Sequence, residues 1–217
     1  MEKGLSKYFS KVFFWMFIGL ALTGLTAYIT ATTPTLLVMV LKLDWILLII
    51  ELALVIAFSS LNHKVSPLVS KLLFAVYSIV SGLTCCYIFS FSIGSLLSAL
   101  ITAVTLFAVF AIYGTLTKQD LTKFGSIMIV GLIAVLIGSI INLFIGNGTA
   151  GIIISVITVV LFLGLTAYDI QKIKRFYYAA SGNPELLEKC AIHGALELYL
   201  DFINIFLSLL NLGRSRD

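Results

Sequence analysis

The last apolar segment of the chain, ALELYLDFINIFLSLLNLG at residues 195–213, decides how the rest of the sequence is interpreted. A helix that crosses a bilayer needs about 20 mostly apolar residues, and this segment has that length. It nevertheless carries Asp201 near its middle, and no basic residue lies between Lys189 and Arg214. Since a carboxylate at that depth costs about 2.5–3.5 kcal/mol on insertion scales, Asp201 requires a protein environment rather than lipid.

The composition of the whole chain is that of a membrane protein. Of its 217 residues, 60% are hydrophobic and 11% are charged, and the mean hydropathy is +1.12. Soluble domains carry about a quarter charged residues. The net charge of +4 comes from short basic clusters between apolar runs, so it does not indicate binding to nucleic acid. We therefore predict an all-α integral membrane protein.

Seven apolar runs of membrane length fill the sequence. We predict helices at roughly 12–31, 45–62, 69–90, 93–116, 124–145, 151–172 and 191–212. The connections are short, so a single transmembrane domain over residues 1–217 is expected, with no soluble domain. Pro34, Pro67 and Pro184 fall in the predicted connections, where helix-breaking residues belong.

The positions of lysine and arginine predict the orientation. One set of loops, together with the N-terminal segment, holds Lys3, Lys7, Lys11, Lys64, Lys71, Lys118, Lys123, Lys172, Lys174, Arg175 and Lys189. The opposite loops hold only Lys42, so the positive-inside rule predicts a cytoplasmic N terminus. Arg214 and Arg216 leave two arrangements open. They lie outside if the seventh segment spans the membrane, and inside if it dips in and returns.

Polar residues of the seventh segment recur at helical spacing. Separations of 4, 4, 3, 4 and 3 residues join His193, Glu197, Asp201, Asn204, Ser208 and Asn211. They share one helix face, which must meet the bundle interior, a water-filled cavity or polar partners. For Asn204, Ser208 and Asn211, hydrogen bonds to neighbouring helices are the alternative interpretation.

Two further carboxylates lie in apolar surroundings. Asp169 lies in GLTAYDIQKIK (164–174), where a salt bridge to Lys172 is the alternative to a functional role, and Glu51 in LLIIELALV needs a proton or a partner. Two carboxylates held together in a low dielectric cannot both stay ionised, so they share a proton. The ionised pair offers oxygen ligands to a hard cation. Buried acids with almost no buried bases favour cations over anions.

The motifs GLTAYDIQKIK and ALELYLDFINIFLSLLNLG, taken together, resemble the Bax inhibitor family, the transmembrane Bax inhibitor motif proteins, in its small bacterial type. YSIVSGLT (77–84) is also similar to the family, and helix count, length and charge pattern agree over nearly the whole chain. The resemblance implies a seven-helix bundle with six helices around a central C-terminal helix. It also implies a multi-pass protein of the bacterial plasma membrane.

The same resemblance implies a pH-sensitive calcium leak. Asp169 and Asp201 correspond to a hydrogen-bonded pair that senses protons and gates or binds calcium, and Glu51 to the acidic residue of the second helix. The expected partners are calcium ions, protons and the lipid bilayer. Calcium would be the transported ion, and neither a cofactor nor an enzymatic activity is expected.

The sequence departs from the family pattern at the end of the second helix. Bacterial relatives can carry an arginine there that pairs with the sixth-helix Asp and latches the closed state, whereas AFSSLNHKVSP (57–67) has none. His63 and Lys64 are candidate replacements, but lysine cannot fork onto a carboxylate as arginine does. His63 would add its own titration near neutral pH. Glu197 is either a third carboxylate of the site or a solvated group beside His193 at the cytoplasmic mouth.

Three other functions remain open. A proton-coupled cation exchanger would often show helices broken by Gly or Pro, and no proline falls within a predicted span. A scaffold that binds other membrane proteins would need no aspartate pair. An intramembrane aspartyl protease uses a shared-proton pair, but such enzymes carry Gly-x-Gly-Asp at the second aspartate, and Asp201 follows Leu198-Tyr199-Leu200.

Overall fold

The computed structural model describes residues 3–61, 65–180 and 182–214, and this part of the chain is almost entirely helical. No strand occurs in these ranges. The elements are α1 (Lys3–Thr32), α2 (Pro34–Leu61), α3 (Pro67–Thr84), a 3-10 helix (Cys85–Ser90), α4 (Ile93–Leu116), α5 (Thr122–Ile145), α6 (Gly148–Ala179) and α7 (Pro184–Arg214). The prediction of an all-α fold with seven helices is confirmed.

The three prolines lie elsewhere than the sequence analysis placed them. Pro34, Pro67 and Pro184 are each the first residue of a helix rather than part of a connection. Proline is suited to this position because the first N–H groups of a helix have no partner within it and the ring already holds φ at a helical value. The helices therefore begin earlier than predicted, and α1 and α7 are both longer than the apolar runs they contain.

Six of the helical segments in the described part of the chain are long and apolar enough to cross a membrane. They are Lys3–Thr32, Pro67–Ser90, Ile93–Leu116, Thr122–Ile145, Gly148–Ala179 and Pro184–Gly213. The 28-residue helix α2 contains the predicted span 45–62, whose crossing stays a prediction. In α7, 56% of the apolar stretch is buried, whereas in α5 the share is 0%. A helix that is apolar around most of its circumference and buried in this way is a core element.

The course of α7 decides between the two arrangements that the C-terminal arginines left open. The helix has 31 residues, which at 1.5 Å per residue gives a length of about 46 Å, more than the thickness of a bilayer core. A segment that dips in and returns must break, and α7 is continuous from Pro184 to Arg214. The structure therefore supports a spanning helix and excludes the return.

The chain forms two compact units, whose boundary falls within α6 and α7. Unit 1 comprises Met1–Phe91 and Arg175–Tyr199, and unit 2 comprises Ser92–Lys174 and Leu200–Asp217. Asp169 and Asp201 both belong to unit 2, whereas Glu51, His193 and Glu197 belong to unit 1. The single domain expected from the sequence stays a prediction.

Close approach of helices in unit 1 depends on glycine. A Cβ at Gly82 of α3 would lie 2.6 Å from the backbone oxygen of Thr23 in α1, so only hydrogen fits there. At the basic end of the same unit, Glu188 of α7 lies 2.5 Å from Lys71 Nζ and 3.6 Å from Lys11 Nζ. These ion pairs join α7 to α1 and α3.

Unit 2 contains a similar close approach. A Cβ at Gly114 of α4 would collide with the backbone oxygen of Ala167 in α6. Ala167 is two residues before Asp169, so the packing of α4 determines where the α6 backbone lies next to that carboxylate.

We expect Gly114→Ala to destabilise the protein, because a methyl group there must push two helix backbones apart. Overpacking of this kind costs about 1–3 kcal/mol, more than the roughly 0.5–1 kcal/mol that alanine gains over glycine in a helix. The measurement is the apparent melting temperature in detergent, read as the fraction of monodisperse protein that survives heating. Gly138→Ala on α5 is the control, since its Cβ would have no neighbour closer than 4.0 Å. Equal melting temperatures for the two variants would contradict the prediction.

Candidate functional site

The two aspartates identified from the sequence are both buried in unit 2. Asp169 on α6 is 8% exposed and Asp201 on α7 is 2% exposed. Each of them makes at least one polar or electrostatic interaction. Carboxylates at this depth are stable only when they are protonated, hydrogen-bonded or matched by positive charge. The burial predicted for both residues is therefore confirmed.

The backbone around Asp169 is held in place by glycines of two neighbouring helices. Ala167 lies against Gly114 of α4, and the ring of Tyr168 lies against Gly125 of α5, where a Cβ would approach it to 2.5 Å. A larger side chain at Gly114 would displace the backbone of this turn of α6, and one at Gly125 would displace the Tyr168 ring. The two glycines thus help to position the turn that carries Asp169.

Gln171 holds the same turn of α6 from its other end. Its Oε1 accepts a hydrogen bond from the backbone N–H of Leu121 at 2.9 Å, and its Nε2 donates to the carbonyl oxygen of Gln119 at 2.8 Å. One amide side chain therefore satisfies two backbone groups of the loop between α4 and α5. The sequence analysis missed this role, since the only signal was a polar residue two positions after the motif aspartate.

The neighbours of Asp201 on α7 make one apolar and one polar contact. The next residue, Phe202, meets Phe107 of α4 edge to face, with ring centroids 5.6 Å apart. One turn further on, Asn204 Nδ2 donates to the carbonyl oxygen of Leu200 at 2.8 Å, a bond within α7 itself. The sequence suggested that Asn204 bonds a neighbouring helix, whereas the hydrogen bond seen in the structure lies within α7.

A buried hydroxyl cluster in unit 1 anchors α7 just before Asp201. Tyr199 is 0% exposed, and its hydroxyl lies 2.7 Å from Thr23 Oγ1 of α1. The Thr23 hydroxyl in turn donates to the carbonyl oxygen of Ser78 in α3 at 2.9 Å. The rings of Phe74 and Tyr77 each meet the Tyr199 ring edge to face at 5.8 Å. This contact of Tyr199 was not predicted from the sequence, because Tyr199 lies among the apolar residues of the segment.

Glu51 was expected to need either a proton or a partner, and the structure gives it a partner. The Thr84 hydroxyl at the end of α3 donates to Glu51 Oε1 of α2 at 2.7 Å, and both residues are half-buried. Thr84 is the last residue of the YSIVSGLT stretch, which carried part of the family resemblance. The acidic residue of the second helix is therefore hydrogen-bonded within unit 1.

Glu197 is paired with His193, one turn earlier on α7. Its Oε1 lies 3.2 Å from His193 Nε2, and both side chains are 17% exposed. The imidazole stacks on Phe58 at 5.7 Å with an interplanar angle of 8°, and Phe176 lies 6.1 Å away. The choice between a third carboxylate of the site and a solvated group at the cytoplasmic mouth stays a prediction for this partly exposed residue. The part of the latter interpretation that placed His193 beside Glu197 is confirmed.

The candidate latch residues His63 and Lys64 lie outside the described residues. Within the described ranges, no group of three or more His, Cys, Asp and Glu side chains could hold a metal ion. Calcium takes about six to eight oxygen ligands. A cation at Asp169 and Asp201 would therefore keep water or backbone carbonyl groups for most of its coordination.

We expect the Tyr199 and Thr23 hydroxyls to stabilise the protein as a unit. In a double-mutant cycle of Tyr199→Phe and Thr23→Val, the coupling free energy should be about 0.5–1.5 kcal/mol, because each single change leaves the other buried hydroxyl with fewer partners. The measurement is denaturant unfolding in detergent. Tyr113→Phe is the control, since Tyr113 is 46% exposed. Strictly additive single effects would contradict the prediction.

Comparison with known proteins places the chain among bacterial membrane proteins. A family model described as "Inhibitor of apoptosis-promoting Bax1" matches residues 5–217. The inner membrane protein YbhL of Escherichia coli strain K12 is 35% identical over 218 residues, which cover 98% of this chain and 93% of YbhL.

Two further relatives are similar over nearly their whole length. An uncharacterized protein of Deinococcus radiodurans is 38% identical over 97% of this chain and 91% of its own. An uncharacterized membrane protein of Streptococcus pyogenes serotype M1 is 35% identical over 99% of this chain and 95% of its own. With six helices capable of crossing a bilayer, the chain is a multi-pass bacterial membrane protein, and it belongs to the Bax inhibitor family.

Proposed function

We propose that this protein is a passive calcium leak channel whose opening depends on pH through Asp169 and Asp201. The observation that carries the proposal is the burial of both carboxylates, 8% and 2% exposed, in one compact unit of a membrane protein. Intramembrane acids are costly and mark ion or proton pathways more often than structural contacts.

The chemistry of the two carboxylates suits a proton switch. If they lie close together in a low dielectric, repulsion between two negative charges makes the singly protonated pair the stable form. Loss of the last proton adds a negative charge that the surroundings must compensate. A divalent cation supplies that compensation, so proton release and cation entry are coupled.

Weak coordination suits a leak better than a storage site. Two carboxylates, without a third ligating side chain among the described residues, cannot replace the whole hydration shell of calcium. A conducting site must bind an ion well enough to admit it and weakly enough to release it. An aspartate pair with water as the remaining ligands meets both conditions.

The continuity of the helices favours a leak over an exchanger. Carriers commonly break their helices at the substrate site near the bilayer midplane, whereas α6 and α7 run unbroken over 32 and 31 residues. The change of α3 into a 3-10 helix occurs at Cys85, late in its 24-residue span. A scaffold function would need neither aspartate, and nothing in their burial favours it. The cost of burying both makes a function that uses them the better explanation.

The first test is calcium flux into dye-loaded proteoliposomes for the wild type, Asp169→Asn and Asp201→Asn. Between about pH 5 and 8, we expect wild-type flux to change with pH and both variants to have flat profiles, because an amide can neither take up nor release the shared proton. Glu185→Gln is the control, since it removes a carboxylate from the exposed first turn of α7. Variants with the wild-type pH profile would disprove the aspartate switch.

A second measurement separates the leak from the exchanger. A pH gradient is imposed across vesicles that hold equal calcium concentrations on both sides. A leak lets calcium run only down its own electrochemical gradient, so with the membrane potential clamped no net movement is expected. Uphill accumulation of calcium driven by the pH gradient would contradict the leak and support exchange.

A further inference from the structure

Unit 2 contains an open-sided cavity of about 750 Å³ between α4, α6 and α7, and Ser98 and Thr102 in its lining are exposed. Its lining is Gly94, Ser95, Ser98, Ala99, Thr102, Ile152, Val156, Leu209, Leu212 and Gly213. These residues come from the beginnings of α4 and α6 and from the end of α7. By the positive-inside rule, they lie on the side of the membrane opposite the N terminus. Three hydroxyls of α4 make one wall polar, and the volume is far above the roughly 30 Å³ that one water molecule occupies.

An aromatic pair lies between this cavity and the level of Asp201 on two of the three helices that line the cavity, α4 and α7. On α4, Phe107 is five residues beyond Thr102, or about 7.5 Å further along the helix. On α7, which ends at the cavity, Phe202 is seven residues before Leu209, or about 10 Å. The two rings meet at 5.6 Å with an interplanar angle of 80°, and each residue is 7% exposed. The next residue in the same direction is Asp201.

Phe107 is the only large side chain on the buried face of α4. The other buried residues of that helix are Ala99, Ala103, Ala111 and Gly114. Small residues on this face let α4 pack closely, as Gly114 does against Ala167 of α6. Phe107 is therefore the one bulky buried group between the cavity end of α4 and the level of Gly114.

We propose that the cavity is the outer vestibule of the permeation path and that the Phe107–Phe202 pair is the hydrophobic constriction between the vestibule and Asp201. The proposal rests on the proposed channel function and adds where the ion enters and what blocks it. Hydroxyl groups of Ser95, Ser98 and Thr102 replace part of the hydration shell of a cation. A ring of apolar atoms stops hydrated ions by excluding water, which is an established way to close a pore.

The vestibule is tested by cysteine accessibility, which requires no ion flux. In a background with Cys85, Cys86 and Cys190 replaced by alanine, Ser98→Cys is treated in spheroplasts with a charged, membrane-impermeant thiol reagent. We expect rapid labelling of Ser98→Cys. Ile101→Cys is the control, since it lies less than one turn away and is 66% exposed on the surface of the helix that lipid would cover. Equal resistance of both positions would mean that the cavity is a lipid-filled groove, and would overturn the proposal.

The constriction is tested by comparing Asp201→Cys with the double variant Asp201→Cys/Phe107→Ala in the same background. We expect the reagent to label the thiol introduced by Asp201→Cys at least about 10-fold faster when Phe107 is replaced, because the apolar ring no longer excludes water from the path. Equal rates, whether fast or slow, would overturn the role of the aromatic pair. Phe107→Leu provides a second variant that retains an apolar side chain of moderate size, and it should give an intermediate rate.

Flux measurements then separate this proposal from the proposed function. Phe107→Ala should raise calcium flux several-fold at the pH where the wild type conducts least, whereas Val109→Ala should not, since Val109 is 55% exposed on another face of α4. If labelling follows the expectation but no variant conducts calcium, the constriction stands and the calcium leak fails. If the wild type conducts and Phe107→Ala changes neither labelling nor flux, the leak stands and the constriction fails.

Discussion

The cost of placing carboxylates inside a bilayer is the constraint on which the rest of this structure depends. Asp169 and Asp201 are nearly inaccessible, with 8% and 2% of their surface exposed. Insertion of such residues is tolerated only where a bundle interior accepts them. The protein therefore has to bury α7 deeply, and more than half of its apolar stretch is buried.

Small residues and a few hydroxyl groups make that burial possible. At Gly82 and Gly114, two helix backbones approach so closely that a methyl group on the glycine would collide with the neighbouring helix. This closeness gives dispersion contacts between the backbones without bulky side chains. Tyr199 then attaches α7 to Thr23 through a hydrogen bond with no access to water. In a bilayer, where lipid tails are as apolar as leucine, such packing and hydrogen bonding replace the hydrophobic effect between helices.

The turn of α6 around Asp169 is supported from two sides. Gln171 bonds the loop between α4 and α5, and Gly114 lets α4 lie against Ala167. Glu51 and Glu197 each have a defined partner in unit 1, Thr84 and His193. Asp169 and Asp201 lie in unit 2, so these four acids of the apolar segments fall two in each unit.

Composition and periodicity alone determined the class of protein and the number of helices, and they singled out Asp169 and Asp201 as acids in apolar surroundings. Apolar runs of membrane length are easily recognised in a sequence. An acidic residue within such a run stands out because placing a carboxylate in the bilayer costs free energy. The sequence could not predict the helix ends at Pro34, Pro67 and Pro184, since proline is compatible both with a connection and with a first turn. Nor could it predict the contacts of Tyr199, Gln171 and Phe107.

Only the tertiary structure decided those contacts, because each is made with a residue far away in the chain. Tyr199 meets Thr23, Gln171 meets the loop between α4 and α5, and Phe107 meets Phe202. The helical period shows which residues share a face, but it contains no information on which helix that face will meet. The course of α7 across the membrane was likewise undecided until its 31 residues proved to form one continuous helix.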